Sequence, residues 1–205
     1  MRKPRYHRHF PLYPYTGQGM DVLDAIAARR SVKRFTDRPV GRAEIERLLD
    51  AAVLAPNHRM TEPWRFYVMG PVSRRKYGAV LGSRKARKVE DPDAAAAVLR
   101  KVEEENAALP AVIAVAVRQD ENPEIREEDY AAAMMAVQNI LLVAAELGLG
   151  SHLKTGAVMD DAGARAAVGV PADERIVALI NIGEAAETPV AKPRTSARER
   201  TVWVP

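Results

Sequence analysis

Four groups of polar side chains carry the types and spacing that chemistry requires. Arg29, Arg30, Ser31 and Lys33 put three cations and a hydroxyl within five residues. A guanidinium offers a planar fork of donors that suits a phosphate, and a serine adds a short one. The same residues would equally serve as cations set against the dipole at a helix C-terminus, and on charge alone the two readings balance. The second group is the proline-framed run Pro56-Asn57-His58-Arg59-Met60-Thr61-Glu62-Pro63-Trp64. His58 there could be a general acid, a hydrogen bond to a cofactor, or a loop residue facing water; Trp64 reads as core.

The third group is Gly148-Leu149-Gly150-Ser151-His152-Leu153-Lys154-Thr155-Gly156. Glycines let a backbone approach a ligand closely. A helix cap and a turn would explain Gly148 fully and Gly156 less well. The run is neither the G-x-G-x-x-G of a dinucleotide fold nor a P-loop, which disfavours a Rossmann-type nicotinamide site. The fourth group, Lys192-Pro193-Arg194, taken alone reads as a solvated basic tail.

Composition narrows the chemistry. With no cysteine among 205 residues, disulfides, thiolate nucleophiles, zinc-thiolate sites and iron–sulfur clusters drop out. That fits a reducing compartment, and a cytoplasmic location is expected. Two of the four histidines, His7 and His9, lie near the N-terminus, which argues against a metal cluster. The net charge of +4 is carried by Arg2, Lys3, Arg5 and Arg8, and the remainder is neutral. Residues 1–19 therefore read as a basic, flexible extension without the apolar stretch of a secretory signal. The alternative is an arm packing on a neighbouring subunit through Tyr6, Phe10, Leu12, Tyr13 and Tyr15. Nucleic-acid binding ranks low, because the body lacks a basic face. No apolar run approaches the roughly 18 residues of a membrane span.

The elements that must position these groups alternate between helix and strand. Asp21 caps a helix over Val22–Arg30, and a second helix runs from about Arg42 to Ala55, ended by Pro56. In it Ile45, Leu48, Leu49, Ala52 and Val53 share a face. A strand follows at Trp64–Met69, then a helix opened by Pro71 and another over Asp91–Leu109 with Pro92 in its first turn. Ala111–Val117 is a β-branched apolar run, hence a buried strand. Glu127–Leu147 predicts the longest and most apolar helix, ending at Gly148. A short strand at Ser151–Lys154, a helix over Asp161–Val168 and a buried strand at Ile176–Ile182 complete the set. After Glu187 no packed element is expected. The fold class is α+β, with a central mixed or antiparallel sheet surrounded by helices, as a single domain over 20–205.

In order and spacing these groups resemble the nitroreductase superfamily. The resemblance rests on Met20-Asp21-Val22-Leu23 with Arg29-Arg30-Ser31-Val32-Lys33-Arg34-Phe35, on Ala55 to Phe66, and on Lys154-Thr155-Gly156 after the glycine-rich helix end. Asn181-Ile182-Gly183-Glu184 and Lys192-x-Arg194 extend it over nearly the whole chain. The compact length is most similar to the short, minimal nitroreductases. Glu62-Pro63 departs from a pattern in which many members carry Gln before the proline.

The resemblance implies FMN held at the interface of a homodimer. Arg29 and Ser31, with Arg194 and Lys192, would meet its phosphate, and Arg30 would lie beside it. Lys33 matches a basic residue near the pyrimidine edge of the isoalloxazine. Lys154 belongs to the same set, a backbone N–H of Thr155 or Gly156 would donate near the flavin N5, and His58 would come from the partner subunit. The implied activity is an NAD(P)H oxidoreductase that reduces nitroaromatics, quinones or similar small acceptors by two hydride transfers through the flavin. NADH or NADPH would be the donor, and no protein side chain would serve as catalyst. A flavin carrier or sensor without turnover, or a divergent flavin reaction, is the alternative. The long helix, with Tyr130, Met134, Met135, Val137, Ile140, Leu141, Leu142 and Val143, is apolar on more faces than one subunit's core needs, which predicts an obligate homodimer.

Overall fold

The computed structural model describes residues 19–205. The expectation for the N-terminal extension thus falls almost wholly outside the described residues. Asp21 accepts from the backbone N–H of Asp24 at 2.9 Å and starts α1 (Val22–Ala28). α2 (Arg42–Ala52) buries Ile45, Leu48 and Ala52, the face set by helical spacing. It stops three residues before Ala55, where the chain turns ahead of Pro56.

β1 (Trp64–Val68) leads to two 16-residue helices, α3 (Pro71–Ala86) and α4 (Pro92–Ala107), each with proline in its first turn. They pack closely because Gly78 and Gly82 face α4: a Cβ at Gly78 would lie 2.8 Å from the Asn106 Cβ, and one at Gly82 2.9 Å from the Leu99 carbonyl oxygen. β2 (Ala111–Arg118) follows. α5 (Pro123–Glu146) begins four residues earlier than its apolar pattern indicates, because the Asn122 side chain caps Glu124 and Pro123 occupies the first turn. β3 (Gly150–Lys154), a 3-10 turn (Ala157–Asp160), α6 (Ala162–Val168), β4 (Glu174–Gly183) and a one-turn exposed helix, α7 (Ala197–Arg200), complete the described chain.

The strands form one sheet in the order β1-β2-β4-β3, and all three pairings are antiparallel. The antiparallel form of the α+β expectation is the one observed. Helices cover both faces, which is why β2 is buried from Ala111 to Val117 without alternating in polarity. Ile113, Val115 and Val117 point into a core shared with α2 and α5. Val112, Ala114 and Ala116 point into a second core with Tyr77 of α3 and Ala164 of α6. Each fully buried Ile or Leu contributes roughly 1.5–3 kcal/mol of transfer free energy, so these cores hold the sheet that carries the site. Among the described residues no helix is long and apolar enough to cross a membrane.

α5 uses its apolar circumference differently from the expectation. Val137, Ile140 and Leu141 are buried within the single subunit, because α5 packs across the sheet and also touches α1 and α2. Only part of its apolar surface is left over, including Tyr130 at 44 % and Met135 at 40 % exposure.

Candidate functional site

The first and fourth groups, far apart in sequence, line one cavity. Arg29 caps α1, its backbone N–H donating to the Ala25 carbonyl at 3.0 Å. The Arg30 guanidinium folds back onto the helix end, donating to the carbonyls of Ala27 and Arg29. Beyond it the chain is laced between two strands. Val32 donates to the Ser151 carbonyl at 2.9 Å, Thr36 to that of Glu184 at 2.9 Å, and Ala186 back to that of Arg34 at 3.0 Å. The approach to β3 requires glycine: a Cβ at Gly150 would lie 2.8 Å from the Val32 side chain. So held, Arg29, Arg30, Ser31 and Lys33 face Lys192 and Arg194 of the C-terminal segment across a cavity of about 800 Å³.

Glu187 is the single acid lining that cavity, and it pairs with Arg34 at 3.4 Å. Among the described residues none of Arg29, Arg30, Lys33, Lys192 or Arg194 makes a salt bridge. Arg30 donates to carbonyls at the helix end as a C-terminal cation would, yet it lines the cavity together with Arg29, Ser31 and Lys33.

The third group extends away from this cavity along β3. Gly148 takes the left-handed conformation that ends α5, with φ of 71°. Ser151 is buried beside the Val32 segment, and Leu153 packs on the α5 core. His152 and Lys154 occupy the opposite face of the strand. Burial, then Lys154 and then Lys33, hold the His152 imidazole below its usual range. Burial first, and the nearby Lys85 second, pull the Lys154 ammonium down, with Glu105 opposing. Gly156, at φ 126° and ψ 176°, adopts a backbone that only glycine takes readily. Lys154, Thr155 and Gly156 do not line the cavity, which Lys33 does.

The second group stands apart within the subunit. Its loop leans on the first turns of α5. His58 Nδ1 lies 3.0 Å from Glu128 Oε1, and Arg59 donates to Glu128 at 2.8 Å and to Glu124 at 3.3 Å. The His58 contact, then that of Arg59, holds the Glu128 carboxyl below its usual range. The Thr61 hydroxyl donates to the buried Asp129, and the Asn57 side-chain oxygen accepts from the Glu62 N–H at 2.8 Å. Met60 and Glu62 hold left-handed backbones at φ 51° and 45°, which this network sustains. Trp64 is core, as its type suggested. His152, Glu128 and Asp129 were missed as site neighbours. Glu128 and Asp129 lie inside the helix that the pattern predicts, but their partners His58, Arg59 and Thr61 are some 70 residues away in sequence and leave no local signal, and His152 sits within the glycine-rich run.

Comparison with known proteins bears on this arrangement. Residues 26–184 match the sequence model of the Nitroreductase family. YfhC of Bacillus subtilis (strain 168), whose name provisionally assigns it as an NAD(P)H nitroreductase, is 35% identical over 180 residues, 87% of this chain and 92% of that protein. A nitroreductase-like family protein from Bacillus cereus superimposes with a TM-score of 0.78 at 31% identity, covering 90% of this chain and 96% of that one. A protein from Desulfovibrio desulfuricans, described as a candidate nitroreductase in complex with FMN, gives a TM-score of 0.68 at 26% identity over 90% and 96% of the two chains. With most of its length matched by the family's pattern and by a relative of nearly equal extent, the chain belongs to the Nitroreductase family.

Proposed function

We propose that the chain is an FMN-dependent NAD(P)H oxidoreductase that reduces small acceptors such as nitroaromatics and quinones. The observation that carries this reading is the cavity between Arg29-Ser31-Lys33 and Lys192-Arg194, whose cations have no carboxylate partners. Such a donor set suits a phosphate dianion, and FMN carries one at the end of a flexible chain. The FMN named for the Desulfovibrio desulfuricans neighbour supports the same ligand.

Arg29, Ser31, Lys192 and Arg194 would hold the phosphate, with Arg30 beside them at the helix end. Lys33 would face the pyrimidine edge of the ring, and a cation there favours negative charge on it. Lys154, Thr155 and Gly156 would form the far wall, with a backbone N–H of Thr155 or Gly156 donating to the ring's central nitrogen. FMN, when bound, supplies the hydride chemistry, and the protein supplies binding, orientation and charge.

Completion of the site by a second subunit is supported by what one subunit leaves unused. His58 is exposed and tied to α5 rather than to the cavity. Val22, Leu23 and Ile26 of α1, Met135 of α5, and Val202 and Trp203 near the C-terminus are exposed apolar side chains that a homodimer would cover. The test is steady-state oxidation of NADPH and NADH by FMN-loaded protein with a nitroaromatic or quinone acceptor. Acceptor-dependent turnover is expected. Stoichiometric FMN without any turnover would replace the enzyme with a flavin carrier.

A further inference from the structure

The loop from Asn57 to Pro63 is strained and exposed, and the proposed flavin contacts use only His58 of it. Met60 and Glu62, at φ 51° and 45°, are the only non-glycine residues with left-handed backbones among the described residues. Glu62 also precedes Pro63, and a residue before proline favours an extended backbone with φ of about −120°. Such conformations cost free energy and persist only where the surroundings enforce them. Packing does not enforce them here. Met60 is 74 % exposed, His58 faces water, and behind the loop Thr61, Pro63 and Asp129 line a cavity of about 550 Å³.

Hydrogen bonds therefore hold the loop, and they are unequal. The pairs of His58 and Arg59 with Glu128, and of Arg59 with Glu124, are exposed to water. An exposed ion pair is worth at most about fivefold in an equilibrium constant. The remaining bonds form a chain. The Asn57 side-chain oxygen accepts from the Glu62 N–H at 2.8 Å, the Asn57 side-chain nitrogen donates to the Thr61 hydroxyl oxygen at 3.1 Å, and that hydroxyl donates to Asp129. Asp129 is 5 % exposed and sits on α5, whose buried face is part of the core. A hydrogen bond to a buried carboxylate is worth roughly tenfold to a hundredfold, and linked bonds strengthen one another. Thr61–Asp129 is thus the buried point at which the strained residues are tied to the rigid part of the subunit.

We propose that Asp129, acting through Thr61, is a positioning residue for the flavin site: it locks the loop in the form that turns His58 and Met60 outward, toward the flavin of a second subunit. The inference rests on the reading in which a homodimer completes the site with His58. An imidazole and a methionine displayed on a costly backbone suit a loop formed in advance of its ligand, because order already in place is not lost again on binding. The cavity behind the loop gives it room to fall back once the lock is removed, and the contacts made across the interface are then lost.

The test uses the full chain loaded with FMN and three variants. Thr61→Val keeps the side chain's shape and removes the hydroxyl, and Thr61→Ser keeps the hydroxyl. Thr61→Val combined with Asp129→Leu removes both partners, so that no buried carboxylate is left unpaired. The urea midpoint, the visible circular dichroism of the flavin and kcat/KM for a quinone acceptor are measured at saturating FMN. Thr61→Val should lower the midpoint, alter the flavin signal and cut kcat/KM by about tenfold. The double variant should regain most of the midpoint yet keep the altered flavin signal and a kcat/KM about tenfold low. Thr61→Ser should hold the midpoint and the flavin signal, with kcat/KM within about twofold of wild type. If kcat/KM and the flavin signal return together with the midpoint in the double variant, the bond is structural only and the proposal is overturned. A Thr61→Val protein with native flavin signal and kcat/KM overturns it too. A loaded protein without turnover leaves the flavin signal to decide by the same comparison. A wild type that takes up no FMN sinks the flavin reading and this proposal with it, whereas a flavin-loaded wild type beside an indifferent double variant sinks this one alone.

Discussion

Arg29 and Arg30 are adjacent, chemically identical and structurally unlike. Both line the cavity, but Arg30 donates to the carbonyls of Ala27 and Arg29 at the end of α1, whereas the Arg29 side chain makes no such bond. Arg29→Ala should therefore weaken FMN binding by roughly 1.5–3 kcal/mol, about tenfold to a hundredfold, in a fluorescence titration of the apoprotein. Unchanged affinity would remove Arg29 from the phosphate site. His152 makes a second prediction, in pH. Its imidazole is held below the usual 6.5 by burial and by Lys154 and Lys33, so the unfolded chain takes up this proton first. Stability contributed by the neutral ring is present above 6.5 and is lost as pH falls from there toward the folded value. His152→Gln should flatten the fall in urea midpoint below pH ~6.5; an equally steep fall in the variant would place the titration elsewhere. At this scale the candidate cavity residues were legible, because charge and donor geometry belong to the side chain. The hydrogen bonds of Arg30 to the end of α1 were not, because they depend on which way the side chain turns.

The elements show where pattern suffices. Asp21, Asp91 and Pro71 mark helix starts that the chain obeys, since a cap or an N-terminal proline acts locally. The start of α5 lies four residues ahead of Glu127 because the Asn122 cap and Pro123 set it, and a turn with Ile125 between Glu124 and Arg126 carries too few apolar side chains for periodicity to register. β4 likewise runs from Glu174 rather than Ile176: Glu174 is buried, accepting from the Tyr67 hydroxyl at 2.7 Å, and such a long-range partner leaves no local trace. Gly150 shows one element positioning the site on another. Gly150→Ala would press a Cβ to 2.8 Å from Val32 and push away the segment bearing Ser31 and Lys33. Overpacking of this kind costs about 1–3 kcal/mol. The variant should lose stability in urea and FMN affinity together, and an intact affinity beside reduced stability would uncouple the strand from the site.

At the scale of the whole molecule, the apolar excess of α5 predicts an interface, and the fold assigns most of it to the subunit's own core. Ile140 is fully buried there, so a charge at that position tests folding rather than association. Met135, at 40 % exposure, is the better probe. Met135→Glu should shift the protein from dimer to monomer in sedimentation at micromolar concentration while circular dichroism stays native; an unchanged dimer would put the interface on another face. The chain's family follows from its sequence and fold together; its chemistry turns on whether the cavity between α1 and the C-terminal segment holds the phosphate of FMN. The most direct measurement is flavin content, by absorption spectrum of the purified protein and titration of the apoprotein with FMN. An oxidised-flavin spectrum and saturation near one FMN per chain, with Kd below about 1 µM, are predicted. A colourless protein with a flat FMN titration would contradict the account.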